Sequence, residues 1–333
     1  MQQAKTGLAK QLFFWPSKNI SSAILTALIS GFLVGLWIDT TPLKQLLPPI
    51  IFMMIYPTMI GFKIQEILSI SNGKLLATVM LLNFLLIPVF AYLLGTQFLL
   101  NDPQLFAGLA ITALLPTSNM TIAFTMLAQG NVTASIKATT LGLLLGSLLA
   151  PWYLYLMVGR YVPVDILFTL KTIALLILVP MLLGILTYRY LMQRFSTEFF
   201  QQQIKPYLPA ASAWGIIPII FISISMNSPR IASQLDMIVV AFTVQLVFYV
   251  INYLIAILVG RKLFDEKDSL SLVFSTVLRN LSISIGLAAA AFGTNAALMV
   301  SLAFLIQGQA AAVFMKLNKK HRLLVKKVST VEQ

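Results

Sequence analysis

The sequence predicts an all-α integral membrane protein with ten transmembrane helices arranged as two inverted five-helix repeats. Three observations carry that expectation. Of 333 residues, 59% are hydrophobic and only 10% charged, against about 25% charged in a soluble domain. The apolar residues form long runs parted by short polar turns, and the basic residues are shared unevenly between alternate turns.

A membrane-crossing helix needs ~20 mainly apolar residues, so the chain holds roughly ten crossings and little else. It contains no cysteine, which excludes a disulfide framework, a thiolate metal site and thiol chemistry. A net charge of +13 would suit nucleic acid, yet membrane proteins gather Lys and Arg in cytoplasmic turns for topological reasons. No nucleic-acid partner is expected. Lys5, Lys10 and Lys18 precede an apolar run in the manner of a signal peptide. Equally apolar runs follow and no small-residue cleavage motif stands out, so the first run reads as an uncleaved span.

Apolar runs bounded by charge, Gly, Pro or Asn fall near 20–38, 46–65, 74–95, 104–129, 133–158, 164–188, 207–226, 234–259, 269–293 and 296–315. Tight turns at Gly130-Asn131 and Gly293-Thr294-Asn295 make helical hairpins of spans four and five, and of nine and ten. With both termini cytoplasmic, the inner turns take most of the basic residues, including Lys63, Lys74, Arg189, Arg261 and the tail at 316–333. The outer turns take Lys44, Arg160 and Arg230. That bias is the signature of an even number of spans with both ends inside. The expected organisation is a single polytopic membrane domain over 1–330, multi-pass in the cell (inner or plasma) membrane, with repeats at 20–158 and 164–315. In each half the fourth span carries a polar patch, Pro116 to Thr121 and Ser275 to Ser284. Matching interruptions in inverted halves point to a midplane binding site.

All ten acidic residues fall in turns, tails or span ends. A proton relay or cation site built on a buried carboxylate is therefore not expected. Arg279 lies mid-span, where a charge costs ~2.5–3.5 kcal/mol or more. It either binds an anionic substrate, replaces a bound cation, or is satisfied by carbonyls of a broken helix. Lys137, one turn into its span, and Lys171 read as snorkelling to the two faces. Pro116 followed by Thr117, Ser118, Asn119 and Thr121 reads as a helix break whose freed backbone lines a cavity; its alternative is interhelical hydrogen bonding. Gly31/Gly35 and Gly142/Gly146 read as packing pairs. An intramembrane enzyme is not expected, because the spans offer no carboxylates, histidine or metal cluster.

The segment LLPTSNMTIAFTMLAQGN, residues 114–131, resembles the fourth-helix signature shared by bile acid:sodium symporters and arsenite-efflux permeases. FSTVLRNLSISIGLAAAAFG, residues 274–293, resembles their ninth helix. The resemblance implies a panel domain of spans 1, 2, 6 and 7, a core domain of spans 3–5 and 8–10, broken helices 4 and 9 crossing in the core, and alternating access. It implies sodium ligands at Ser135 and Thr139, with Asn83 and Ser275 completing a residual sodium site. The family's helix-9 glutamate falls on Ser275 and its nearby glutamine on Arg279, so Arg279 is expected to stand in for the second sodium. From the arsenite branch, the helix-4 cysteine falls on Thr117, the helix-9 glutamate on Ser282 and a helix-10 glutamate on Gln307. The expected substrate is a small organic solute, preferably an anion, at Arg279, Asn280, Thr117, Ser118, Asn119, Thr121, Ser282 and Gln307, with no cofactor beyond sodium and membrane lipid around the bundle. The alternative is a sodium-coupled, bile-acid-like symporter.

Overall fold

The computed structural model describes residues 2–61, 72–233 and 235–324, and among them every regular element is helical. Six helices are long and apolar enough to cross a membrane. These are α4 (Gly73–Phe98), α7 (Val132–Val158), α8 (Ile166–Arg194), α9 (Thr197–Ser225), α10 (Leu235–Leu263) and α13 (Thr294–His321). Shorter helices are α1 (Gln2–Lys18), α2 (Ile20–Trp37), α3 (Leu47–Met59), α5 (Pro103–Leu114), α6 (Asn119–Leu127), α11 (Glu266–Val277) and α12 (Leu281–Phe292). The sequence-predicted second span runs past α3 towards residue 65, and its end lies outside the described residues.

The burial pattern reverses that of a soluble bundle. On α10, Leu246, Val250, Leu254 and Leu258 are exposed, whereas Gln245, Tyr249 and Asn252 are buried. Apolar side chains outside and amides inside are what a helix needs when its solvent is lipid. The α2, α3, α8 and α9 helices pack on one another. The α4 to α7 helices pack with α10, α11 and α13. The groups meet where α13 touches α2 and α9, and where α12 touches α3 and α8.

Glycine sets two of these approaches. A Cβ on Gly35 would lie 2.0 Å from the carbonyl oxygen of Ser225, so only glycine lets α2 lie this close to α9. On α7, a Cβ on Gly142 would meet Thr117 Oγ1 at 3.0 Å and one on Gly146 would meet the Leu114 carbonyl at 2.9 Å. Both glycine pairs are therefore packing surfaces, and the second seats α7 against the α5–α6 break.

Both hairpin turns are clasped to the start of a distant helix. Asn131, after α6, donates from Nδ2 to Asp268 Oδ1 at 2.8 Å. Asn295, after α12, donates from Nδ2 to Asp102 Oδ2 at 3.0 Å. Each Asp sits at a helix start, where a carboxylate faces unpaired N–H groups.

Two features depart from the sequence reading. Residues 2–18 form a helix of their own, held to α9 by Trp214 Nε1 donating to the Phe13 carbonyl at 3.0 Å and by Phe13 and Phe14 against Tyr207. Lys137 does not snorkel: it is only 2% exposed, because the face of α7 that carries it is covered by the bundle. Lys171 is exposed.

Candidate functional site

The α5 and α6 helices meet at a break that the local sequence builds. Pro116 has no N–H to continue α5, and Thr117 takes a left-handed conformation (φ 63°), which a β-branched residue adopts only under constraint. Ser118 then starts α6 as a capping box. Its Oγ accepts from the Met120 N–H at 3.2 Å, and Thr121 Oγ1 accepts from the Ser118 N–H at 3.1 Å. The α11–α12 break is made differently: Leu278 is extended and Asn280 caps α12, its Oδ1 accepting from the Ile283 N–H at 3.3 Å.

The two breaks satisfy each other. The Thr117 N–H donates to the Leu278 carbonyl and the Asn280 N–H donates to the Leu115 carbonyl, both at 2.9 Å, forming an antiparallel bridge between Pro116 and Arg279. Backbone groups that lipid could not satisfy are thereby paired, and the N-terminal ends of α6 and α12, each partially positive, start from the same place.

Arg279 is fully buried at this crossing. Its Nη1 donates to Asn83 Oδ1 at 3.0 Å and to the Ala113 carbonyl at 3.3 Å, while buried Nε and Nη2 have no acceptor. Asn83 sits in a π-helical turn, Leu82–Leu86, and its Nδ2 donates to the Ser275 carbonyl at 2.9 Å. Pro88 follows that turn and frees the Phe84 carbonyl, which accepts from Tyr153 OH. Gln307 clamps the Arg279 backbone. Its Oε1 accepts from the Arg279 N–H at 2.7 Å and its Nε2 donates to the Arg279 carbonyl at 3.2 Å. Tyr249 OH donates to the same Oε1 at 2.9 Å. The cation is thus compensated by an amide and a carbonyl, with no carboxylate on it among the described residues.

A cavity of ≈230 Å³ opens beside the crossing, between the two helix groups. Ser118, Asn280, Ser282 and Gln307 line one wall, and Thr58, Ser212 and Ile216 the other. Arg279 reaches the wall, but its guanidinium is anchored on Asn83 and Ala113, neither of which lines the cavity. Thr117 and Thr121 are buried behind it: Thr117 Oγ1 donates to its neighbour Pro116 O at 2.6 Å and Thr121 Oγ1 caps Ser118. Asn119 opens α6; its side chain lies outside what the structure describes.

The four residues read as one sodium site take part in two sets of hydrogen bonds. Ser135 Oγ shares a hydrogen bond with Thr125 Oγ1 at 2.9 Å, and Thr139 Oγ1 donates to the Ser135 carbonyl at 2.7 Å. Asn83 and Ser275 lie with Arg279 instead. Within that second set a sodium ion does not fit the residues present, since the guanidinium already uses the Asn83 oxygen and would repel a second cation. Tyr249, Ala113, Thr58 and Ser212 were missed by the sequence reading. A carbonyl gives no residue signal, but Tyr249 lies between Gln245 and Asn252 on one stripe of α10, and that polar stripe was there to be read.

An apolar bundle holding a polar crevice at two crossed helix breaks has the build of a multi-pass membrane transporter. Residues 48–234, more than half of the chain, match the Sodium Bile acid symporter family, and the chain belongs to that family. It is therefore a membrane transporter of small solutes and not an enzyme. It is 23% identical over 302 residues to "Uncharacterized protein YbaS" of Bacillus subtilis (strain 168), covering 90% of this chain and 94% of that one. It is 26% identical over 258 residues to "Putative symporter YfeH" of Escherichia coli (strain K12), covering 74% and 75%. It is 27% identical over 162 residues to the rice (Oryza sativa subsp. japonica) protein "Probable sodium/metabolite cotransporter BASS1, chloroplastic", covering 48% and 38%.

Proposed function

We propose that this chain carries a small organic anion by alternating access and that Arg279 is a built-in cation standing where relatives bind a coupling sodium. The observation that carries this reading is the placement of the guanidinium, fully buried on Asn83 Oδ1 and the Ala113 carbonyl. A cation fixed there supplies permanently the charge that a bound sodium would supply transiently. The solute would lie in the cavity against Ser118, Asn280 and Ser282, near the partially positive starts of α6 and α12.

In this reading the chain has ten spans in two inverted repeats, with α5–α6 and α11–α12 as the broken fourth and ninth. The reciprocal bridge at the crossing and the reciprocal Asn–Asp clasps support the repeat. A panel of α2, α3, α8 and α9 moves against a core of α4 to α7 and α10 to α13. Both termini lie on the cytoplasmic side of the cell membrane. The second reading is a sodium-coupled symporter, favoured by the hydroxyl cluster of Ser135, Thr139 and Thr125 and by the name of the rice relative.

Proteoliposome uptake measured in sodium and in potassium separates the two. The expected result is equal uptake in both for the native chain, and sodium-dependent uptake for the double variant Ser275→Glu/Arg279→Gln, which restores a carboxylate and an amide in place of the fixed charge. Uptake by the native chain that requires sodium overturns the proposal.

A further inference from the structure

A second cavity of ≈390 Å³ adjoins the first, Thr58, Thr139 and Pro209 lining both. Its walls are mainly apolar, with Ile122, Ala123 and Met126 of α6 facing Pro57 and Ile60 across it. Among the described residues, Lys205 is the only ionisable side chain in its lining.

Local structure explains why a lysine comes to lie there. The α9 helix takes a π-helical turn over Phe200–Ile204, and the Lys205 N–H bonds the Phe200 carbonyl five residues back at 2.8 Å. Gln201 and Lys205 consequently line the cavity together, and Pro206 follows at once, ending the turn. Lys205 Nζ donates to Gln201 Oε1 at 2.9 Å, which holds the ammonium in place while leaving it further N–H donors. The acid one turn earlier, Glu198, accepts from Gln202 Nε2 at 3.1 Å, and neither of these two lines the cavity.

We infer that this cavity is an anion-capture vestibule, with Lys205 as the residue that selects charge at the entrance to the crevice. A cation on a mainly apolar wall raises the local concentration of anions and lowers that of cations. It acts on capture and not on the crossing, because its ammonium bonds Gln201 and no residue of the Arg279 network. The inference deepens the proposed transport of an organic anion and rests on it for the identity of what passes through.

The absence of cysteine permits a test that needs no knowledge of the solute. In an Ala123→Cys protein, with Thr140→Cys as a second reporter, labelling rates are compared for two methanethiosulfonates, one bearing a sulfonate and the other a trimethylammonium group. Lys205→Gln is expected to lower the anion-to-cation rate ratio about fivefold at low ionic strength, with the effect shrinking in molar salt and Lys205→Arg preserving the ratio. An unchanged ratio, or cysteines that neither reagent reaches, overturns the vestibule. In uptake assays Lys205→Gln is expected to raise KM for an organic carboxylate about fivefold at constant maximal rate. A native chain that carries no organic anion, but whose labelling ratio still depends on Lys205, overturns the solute assignment and leaves the vestibule standing.

Discussion

The two helix breaks share a backbone bridge and little else. The α5–α6 break satisfies itself: Thr117 Oγ1 bonds its own neighbour's carbonyl, and Ser118 and Thr121 cap each other within one turn. The α11–α12 break depends on distant residues, since Arg279 is held by Asn83, Ala113, Gln307 and, through Gln307, Tyr249. It also leaves buried polar groups without a partner among the described residues, Nε and Nη2 of Arg279 and the hydroxyls of Ser275, Thr276 and Ser284. Such groups are costly to keep, and native structures keep them where function requires it. One half closes on itself, and the other concentrates the charge.

The largest test of that contrast is Arg279→Ala. It removes the buried charge and strands the oxygens of Asn83 and Ala113, each unsatisfied buried acceptor costing about 1–3 kcal/mol. Uptake is expected to be abolished, because the positive charge at the crossing is lost, while the protein still elutes as a folded species in detergent. Native uptake by this variant would make the second break as passive as the first. Arg279→Lys should not restore it, because one ammonium on a flexible stem does not reproduce a planar guanidinium.

A smaller loss is expected from Asn83→Leu, which leaves Nη1 with the Ala113 carbonyl alone. Hydrogen bonds to charged groups are worth about 1.5–3 kcal/mol, and a thermal melt in detergent should show a loss of that size. Combined with Arg279→Leu, the loss should be less than additive, because both changes remove the Nη1–Oδ1 bond and, of the Asn83 bonds, only the one to the Ser275 carbonyl is lost separately. Additive losses would mean that Asn83 stabilises α4 independently of the guanidinium.

How much of this was legible follows from the range of each contact. Pro116, the hydroxyls after it and the Gly130-Asn131 turn are local signals, and the first break could be read from them. Arg279 was legible as a problem, a charge in an apolar run, but its answer was not. Asn83 and Ala113 lie 196 and 166 residues away in sequence, and one of them acts through a carbonyl that any residue carries. The same limit explains Lys137. One turn from the end of α7 suggested a route to water, and only packing could show that route to be covered. The helix at 2–18 was hidden because its apolar residues are few and only a short stretch, Leu12 to Trp15, is continuous, with Phe13 and Phe14 packing on Tyr207 of α9.

The smallest expected effect is the one that would correct the comparison most. Thr117 sits at φ 63°, a conformation costing an L-residue roughly 1–2 kcal/mol, so Thr117→Gly relieves that strain. The change also deletes a hydroxyl whose hydrogen bond is worth about 0.5–1.5 kcal/mol. The two terms oppose, and the melting temperature should move by no more than the equivalent of about 1 kcal/mol, with uptake retained. If Thr117→Gly instead costs as much as Asn83→Leu, the Thr117 hydroxyl does more than close its own turn. Its second, longer bond to the Thr139 carbonyl at 3.4 Å would then tie the first break to α7, and the first break would depend on distant residues as the second does.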